Sequence, residues 1–236
     1  MSKIVAIVGW QGSGKDTIAD YLVNSHGFRR DSFARTLKDA VSVIFGWDRE
    51  LLEGRTKESR AWREQVDSWW AEKLGIPHLT PRWILQQWGT EVCRKGFHND
   101  IWVASLENKL RKTSDDIVIS DCRFPNEIVA LRAVGAKIIW VERGERPVWY
   151  DWAVKYNTCQ DDHWKTTMRI TANLEESPIK YKIHESEWAW VGQNFDRILA
   201  NDGSIQDLYQ QVDSIAQKSG TRSAGFQASL DLKISC

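Results

Sequence analysis

The chain has 236 residues, with 32 basic and 32 acidic side chains and a formal net charge of zero at pH 7. This balance gives no electrostatic basis for binding nucleic acid or a membrane surface, and the length suits one α/β domain with insertions or at most two small domains. Widely spaced cysteines without a C-x-x-C pair indicate free thiols in a reducing cytosol, and the apolar run after Lys3 is too short for a signal peptide or a membrane span, so we expect a cytoplasmic protein.

The first predicted elements surround a phosphate-binding loop. The apolar residues 4–8 predict a strand, the segment 14–25 has helical spacing, and Gly9, Gly14 and Lys15 keep the spacing G-x-x-x-x-G-K. Glycines allow successive backbone N–H groups to turn onto phosphate oxygens, and the helix directs its positive end at them. The residues that we expect to bind the phosphates are Gly12, Ser13, Gly14, Lys15, Asp16 and Thr17.

Asp16 stands where phosphate-binding loops usually carry the Ser or Thr that ligates Mg²⁺. Either Asp16 ligates the ion, directly or through water, or Thr17 does so from the next position. An acidic residue is also favourable in the first turn of a helix for purely structural reasons. The sequence leaves these alternatives open, so Asp16 and Thr17 are both candidate metal ligands.

Further along the chain, predicted strands alternate with predicted helices. The strands are 28–33, 117–121, 137–141 and 195–200; the helices are 35–46, 81–95, 100–112, 125–134 and one that begins at Ser204; the stretch 47–80 is helical and rich in tryptophan, and 145–192 holds no core strand. This alternation predicts an α/β fold with a mainly parallel sheet and helices on both faces. Ligands of such folds bind at the carboxyl ends of the strands.

Several charged side chains follow the predicted strands. Asp121 ends an apolar strand, as a Walker-B carboxylate near Mg²⁺ does, although a strand-end Asp can also cap the next turn. Arg123 should face the same cleft, where a guanidinium can bind phosphate oxygens, and Glu127 is either a helix residue or a binding residue. The further candidates beyond strand ends are Arg143, Asn201 and Asp202.

The helical segments hold candidate residues for an acceptor. Arg82 is suited to an acceptor phosphate, Gly89 permits close backbone approach, and Trp102 could cover a base, although core packing is the more common role of a tryptophan. Further cations on this side, of which we expect at most half to touch substrate, are Lys38, Arg55, Arg60 and Arg63. We interpret His184 and Glu187 as structural or lid-anchoring residues.

These motifs resemble those of the phage deoxynucleoside monophosphate kinases, a branch of the P-loop nucleotide kinases. The resemblance runs in the same order over most of the chain up to about residue 215, and its segments are 12–20, 37–40, 85–91, 121–123 with Glu127, 132–136, 184–187 and 201–204. It implies a three-layer P-loop kinase fold over 1–217, with a helical monophosphate-binding region at 35–112 and a lid-like insertion at 143–192. Residues 218–236 are expected to form a flexible tail.

The resemblance also implies an activity, which is transfer of the ATP γ-phosphate to a deoxynucleoside monophosphate (dNMP) with Mg²⁺. The catalytic residues would be Lys15, Arg123 and Asp121; the ATP-binding residues Gly12 to Thr17, Arg143, Asn201 and Asp202; the substrate-binding residues Lys38, Arg82, Gly89, Trp102, Arg123 and Glu127; and the metal-binding residues Asp16, Thr17 and Asp121. The partners would be small-molecule nucleotides, without nucleic acid or membrane, in the host cytoplasm if the chain is a phage protein. The chain could form a homodimer, and no residue indicates which base the acceptor nucleotide carries.

Two other readings compete with this one. Another small-molecule P-loop kinase, phosphomevalonate-like or dephospho-coenzyme-A-like, would share the loop and the Walker-B carboxylate. A nucleotide-binding switch would need a partner surface and a residue that positions water, and the sequence shows neither. The nucleotide kinase is favoured because the tryptophans of 62–102 offer stacking surfaces for a base.

Overall fold

The computed structural model describes residues 2–216, so the tail predicted at 218–236 lies outside the described residues. Within 2–216 the strands are β1 (Ile4–Val8), β2 (Arg29–Asp31), β3 (Ile117–Ile119), β4 (Lys137–Glu142) and β5 (Arg197–Ala200). The α-helices are α1 (Lys15–His26), α2 (Arg35–Phe45), α3 (Arg49–Glu53), α4 (Lys57–Arg63), α5 (Ser68–Leu74), α6 (Pro81–Gln86), α7 (Ile101–Leu110), α8 (Pro125–Ala133), α9 (Tyr150–Thr158), α10 (Asp162–Thr171) and α11 (Ile205–Ala216). A π-helix (Gln87–Lys95) continues α6, and Ala172–Leu174 and Glu185–Glu187 form single 3₁₀ turns.

The strands form one parallel sheet in the order β2-β3-β1-β4-β5. Every residue of the central strand β1 is buried, and Ala6 pairs with Ile119 on one side and with Ile138 on the other. A continuous apolar run is what a strand needs when helices cover both faces of its sheet. The predicted α/β fold with a parallel sheet is therefore confirmed.

Successive residues of β1 belong to two different cores, because neighbouring side chains on a strand point to opposite faces. Ala6 and Val8 pack with residues of α7, α8 and α9 on one face. Val5 and Ile7 pack with residues of α1 and α11 on the other. The sheet is thus the middle of three layers.

A third core lies in the helical region between β2 and β3. It combines residues of α2, α3, α5, α6 and α7, namely Leu37, Val41, Phe45, Trp47, Leu52, Ala71, Leu79, Ile84 and Trp102. Trp47 Nε1 donates to Asp67 Oδ2 at 2.8 Å, and Trp70 Nε1 donates to the carbonyl of Phe45 at 3.0 Å. These tryptophans hold short helices together, since helices of five to seven residues bury too little to be stable alone.

The sequence predicted most elements within two or three residues, with two notable differences. The segment 81–95 is not one α-helix, because α6 passes into the π-helix at Gln87. The strand predicted at 117–121 ends at Ile119, and Asp121 beyond it accepts hydrogen bonds from backbone amides of the loop after β2. The helix expected to begin at Ser204 is α11, and Ser204 precedes its first residue: Asp207 N donates to Ser204 Oγ at 3.2 Å, and Ser204 N donates to Asp207 Oδ2 at 2.9 Å.

None of the helices within residues 2–216 combines the length and the apolar composition that crossing a bilayer requires.

Candidate active site

The loop between β1 and α1 is shaped by glycines with positive φ. Gly9, Gly12 and Gly14 have φ values of 149°, 79° and 107°. A Cβ on Gly9 would lie 2.6 Å from the carbonyl oxygen of Val141, so only glycine fits between the loop and β4. Backbone of this kind at the start of a helix forms a concave anion site.

Lys15, the first residue of α1, folds back onto this loop. Its Nζ donates to the carbonyl oxygens of Gly9 and Trp10, each at 2.6 Å. Burial, and secondarily the Arg123 cation, lowers the pKa of Lys15 to about 8. A phosphate placed beside it would stabilise the charged ammonium, since an opposite charge at short range favours the ionised form.

A cavity of about 390 Å³ opens on one side of the loop. Asn201 and Arg143 contribute to its wall, Asn201 Nδ2 donates to the carbonyl of Ser13 at 2.8 Å, and Arg143 Nη1 donates to the carbonyl of Gly12 at 3.4 Å. Asp202 accepts a hydrogen bond from Gly144 N at 2.6 Å and so ties the loop after β4 to the loop after β5. The structure therefore brings the predicted ATP-binding residues of distant segments together.

A larger cleft, about 530 Å³, lies on the other side of the loop, between α1 and the helical region. Lys38 lines it but is ion-paired with Glu53, whose Oε2 lies 2.7 Å from Lys38 Nζ. Burial alone would raise the pKa of Glu53, but the Lys38 and Arg49 cations together lower this pKa to about 2. The charge of Lys38 is thus largely balanced within the protein.

This cleft continues into a cavity of about 470 Å³ against α2, α6 and the π-helix. Its apolar wall is formed by Phe33, Leu37, Leu85, Trp102 and Phe124, and its polar wall by Arg63, Arg82, Gln86, Thr90, Arg94, Glu127 and His184. An aromatic and aliphatic wall with a few polar groups is typical of a site for a flat, polar ligand. Asp121 and Arg123 line both the cleft and this cavity, so they mark the junction.

Trp102 and Gly89 have mainly structural contacts at this wall. Trp102 is only 8% exposed, and its Nε1 donates to the carbonyl of Gly89 at 2.9 Å. A Cβ on Gly89 would lie 2.9 Å from Leu37 Cδ2, so glycine lets the π-helix pack closely on α2. The two residues fix the position of the wall that a ligand would meet.

Arg123 is held at the junction by residues of two other segments. Its Nη1 donates to Glu187 Oε1 at 2.6 Å and to Ser186 Oγ at 3.1 Å. The second oxygen of Glu187 accepts from the backbone N of Gln11 at 3.0 Å. Glu187 therefore links the arginine to the tip of the phosphate loop.

Glu127 fixes the backbone on which Arg123 lies. Its Oε2 accepts from the N of Arg123 at 2.7 Å and from the N of Phe124 at 3.1 Å. The side chain is buried, and burial raises the pKa of Glu127 to about 7 in spite of these hydrogen bonds. Of the two roles expected for Glu127, helix residue and binding residue, these contacts belong to the first, and the residue also lines the cavity.

Asp16 lies beside Ser120, and Arg30 joins them. Arg30 Nη2 donates to Asp16 Oδ1 and, at 2.5 Å, to Ser120 Oγ, while Ser120 Oγ lies 3.3 Å from Asp16 Oδ1. Carboxylate and hydroxyl oxygens are the ligands that Mg²⁺ prefers, and the guanidinium shows that the pair attracts a cation. Both oxygens of Asp121 instead accept backbone N–H groups, from Phe33 at 3.3 Å and Ala34 at 3.5 Å, and burial raises the pKa of Asp121. No cluster of three or more His, Cys, Asp or Glu suited to a metal occurs within 2–216.

Sequence comparison finds relatives of one kind. A family model described as deoxynucleotide monophosphate kinase matches residues 65–154. The putative deoxynucleotide monophosphate kinase of Acanthamoeba polyphaga mimivirus is 31% identical over 154 residues, covering 59% of this chain and 74% of that protein. The chain belongs to the deoxynucleotide monophosphate kinase family. The deoxynucleoside-5'-monophosphate kinase of Escherichia phage T5 is similar as well, at 32% identity over 181 residues, covering 56% of this chain and 72% of that protein.

Membership of this kinase family confirms the resemblance drawn from the motifs and makes the protein an ATP-dependent phosphotransferase with nucleotide substrates. Among solved structures, shikimate kinase from Aquifex aeolicus vf5 is matched with a TM-score of 0.38 at 9% identity, covering 90% of this chain and 94% of that one. Dephospho-CoA kinase from Campylobacter jejuni has a TM-score of 0.36 at 14% identity, covering 91% and 96%.

Two residues of the candidate site were assigned no site role from the sequence: Arg30 contacts Asp16, and Glu187, interpreted as structural or lid-anchoring, pairs with Arg123. Arg63, one of the further cations named from the sequence, lines the acceptor-side cavity. Glu187 belongs to a segment of the resemblance, but only its contact with Arg123 shows where it acts. Arg30 and Arg63 stand in no motif, and their position depends on how β2 and α4 pack.

Proposed function

We propose that this kinase transfers the γ-phosphate of ATP to a dNMP, giving the deoxynucleoside diphosphate and ADP. One observation carries the proposal: the loop cavity and the cleft on the other side of the loop share Lys15 in their walls, and the cleft runs on past Arg123 into the cavity against α2, α6 and the π-helix. A phosphoryl group passing between two nucleotides needs such a junction lined by cations, since the transfer depends on positioning and on neutralising charge.

On the donor side, ATP would bind in the 390 Å³ cavity with its phosphates on the loop residues Gly12 to Thr17. Lys15 would exchange its present contacts with loop carbonyls for the β- and γ-phosphates, as the lysine of a phosphate loop does. Asn201 and Asp202 support this site by fixing the loop and the Gly144 backbone. Arg143, exposed at the rim, would close over the donor phosphates.

Mg²⁺ would be held by Asp16, with Thr17, Ser120 and Asp121 as the nearby oxygen donors. When bound, the ion would neutralise charge on the transferred phosphoryl group. Arg30 would then have to release Asp16, and it retains Asp20, whose Oδ1 lies 2.9 Å from its Nη1. Asp121, held by the amides of Phe33 and Ala34, would position the loop after β2 and order the water shell of the ion.

On the acceptor side, the base would lie against the aromatic wall that Trp102 supports, near Gly89 and Glu127. Its phosphate would face Arg123, with Lys38 and Arg82 as further cations. The attacking phosphate oxygen is already ionised at neutral pH, so the reaction needs no general base. Lys15 and Arg123 would do the chemical work by stabilising the negative charge of the transition state.

The 143–192 segment is proposed as the lid, with an uneven division of roles. Trp152 of α9 and Trp188 are buried in the core, so α9 and the part of the segment after it anchor the segment. The exposed residues 143–146 would carry the movement. Since relatives occur in a virus and a phage, we propose that the kinase acts in the host cytoplasm.

A panel of acceptors tests the proposal. Purified protein with ATP and Mg²⁺ is assayed against each dNMP, each ribonucleoside monophosphate, phosphomevalonate and dephospho-coenzyme A, with ADP and the phosphorylated acceptor both measured. We expect turnover above about 1 per second with at least one dNMP. Turnover with phosphomevalonate or dephospho-coenzyme A and none with any dNMP would overturn the proposal, and Lys15→Ala is the control that removes enzyme-dependent transfer.

A further inference from the structure

Arg63, the last residue of α4, carries a charge that no carboxylate of the described residues pairs with. It is half-buried in the wall of the acceptor-side cavity, and its Nε is buried with no hydrogen-bond partner. Within residues 2–216 its guanidinium forms no ion pair, whereas the neighbouring Lys38 and Arg82 are paired with Glu53 and Glu64. A partly desolvated cation without a counter-ion is costly.

The surroundings of Arg63 add to this cost. Burial first, and then the cations of Arg82 and Arg60, lower the pKa of Arg63, and the carboxylates of Glu64 and Glu53 only partly offset them. Glu64 lies 3.3 Å from Arg82, and Glu53 is shared between Lys38 and Arg49 at 2.7 Å each. Both nearby carboxylates are therefore engaged elsewhere.

The backbone nevertheless provides a defined seat for this side chain. The guanidinium of Arg63 lies directly against Gly54, where φ is 68° and where any Cβ would collide with the guanidinium carbon. Arg60, one turn before on α4, donates to the carbonyls of Gly54 and Arg55, at 3.4 and 2.9 Å, and helps to fix this loop. Gly54, the C-cap of α3, therefore leaves room for the guanidinium of Arg63.

We propose that Arg63 is a binding residue for the phosphate of the acceptor nucleotide and that this phosphate is its missing counter-ion, an assignment that rests on the function proposed above. A phosphate monoester carries a charge of about −1.5 to −2 at pH 7 and offers acceptor oxygens that suit a guanidinium fork. Arg63 shares its cavity with Arg82, Arg94 and Arg123. Arg82 and Arg123 are ion-paired with Glu64 and Glu187, whereas Arg63 and Arg94 form no ion pair within residues 2–216. Of these four arginines, Arg63 is the one with a buried side-chain nitrogen that has no hydrogen-bond partner there, so it gains most from an incoming anion.

This arrangement predicts that binding and stability respond in opposite directions. Arg63→Met keeps an unbranched apolar stem and removes the charge, so it should relieve the repulsion from Arg82 and Arg60. A residue that only supports the fold would destabilise the protein when truncated and would weaken all ligands alike. If Arg63 instead binds a phosphate, its replacement should lower the affinity of the protein only for acceptors that carry a phosphate.

The test measures dNMP and deoxynucleoside affinities by calorimetry, with the donor site filled by a non-hydrolysable ATP analogue and Mg²⁺, and the melting temperature of each variant. For Arg63→Met we expect a dNMP Kd at least tenfold higher, an unchanged Kd for the deoxynucleoside, and a melting temperature equal to or above that of the wild type. Arg63→Lys should recover part of the dNMP affinity. Arg111→Met, at the exposed end of α7, is the matched control and should change neither affinity.

Two results would overturn the assignment while leaving the proposed function intact: a dNMP Kd unchanged in Arg63→Met, or equal losses for dNMP and deoxynucleoside together with a lower melting temperature. If Arg63→Met does not fold, the test uses Arg63→Lys and Gly54→Ala. Both keep the positive charge, but the first removes the guanidinium fork and the second displaces it. Each should weaken dNMP binding without affecting binding of the deoxynucleoside. A wild-type protein that neither binds nor phosphorylates any dNMP would remove both proposals at once.

Discussion

At the scale of single residues, the site is a set of cations held in unfavourable surroundings. Lys15 is desolvated and bound only to carbonyl oxygens, and Arg63 has no counter-ion within the described chain. Glu187 gives Arg123 an anionic partner but holds it beside the phosphate loop. Charged groups in such surroundings occur often at functional sites, where a bound substrate supplies the missing counter-charge.

The lowered pKa of Lys15 predicts that ATP binding takes up protons at alkaline pH. With a pKa of about 8, the amine is about half protonated at pH 8 in the free protein, and a bound triphosphate raises its pKa and restores the proton. Calorimetry in buffers with different ionisation enthalpies should therefore show uptake of about half a proton at pH 8 and almost none at pH 6.5. The Lys15→Met variant is the control, and uptake that persists in it would assign the proton to another group.

Glu187 is predicted to position Arg123 for the transfer. Glu187→Gln weakens the ion pair and should lower kcat roughly tenfold with little change in the KM for ATP, since misplacing one charge-stabilising group acts mainly on the transition state. Steady-state kinetics measures the effect, and Glu185→Gln, two residues earlier and exposed, is the matched control. Equal losses of kcat in both variants would show that the effect comes from the turn as a whole and not from the contact of Glu187 with Arg123.

At the scale of elements, local sequence was enough for some features and insufficient for others. The strand–loop–helix unit around Lys15 was predictable because its glycines and apolar spacing are local signals. The π-helix was not, because Gln87–Lys95 has the sequence pattern of an ordinary helix, and the close approach of Gly89 to Leu37 involves a distant element. π-helical turns are rare and occur mostly at functional sites, which agrees with the place of this one in the cavity wall.

The close contact of Gly89 with α2 gives a prediction for this element. In Gly89→Ala the added Cβ, 2.9 Å from Leu37 Cδ2, should push the π-helix outward, destabilise the protein by about 1–3 kcal/mol and raise the KM for dNMP. Urea unfolding and acceptor kinetics measure the two effects. Val92→Ala, on the exposed side of the same helix, should cost less than about 0.5 kcal/mol. A Gly89→Ala variant as stable as the wild type would show that Leu37 and the π-helix accommodate the added Cβ without strain.

At the scale of the whole molecule, the parallel sheet brings the segments of the site together. The loop after β1, Ser120 and Asp121 after β3, Arg143 after β4 and Asn201 after β5 meet because the carboxyl ends of parallel strands share one edge. This convergence was predictable from alternating strands and helices. The residues next to Arg123, Asp16 and Arg63 could not be predicted from the sequence. They are Glu187, Arg30 and Gly54, and their proximity depends on how separate elements pack.

In the proposed mechanism, donor and acceptor bind at the same time on opposite sides of Lys15, with Arg123 on the acceptor side. Inhibition by a bisubstrate analogue, in which adenosine and a deoxynucleoside are joined through five phosphates, tests this arrangement. We expect inhibition competitive with both ATP and dNMP, with an inhibition constant far below the Kd of either substrate, because one molecule spans both sites. An analogue that competes with ATP alone and binds no more tightly than ATP would show that the two nucleotides do not bind side by side in this way.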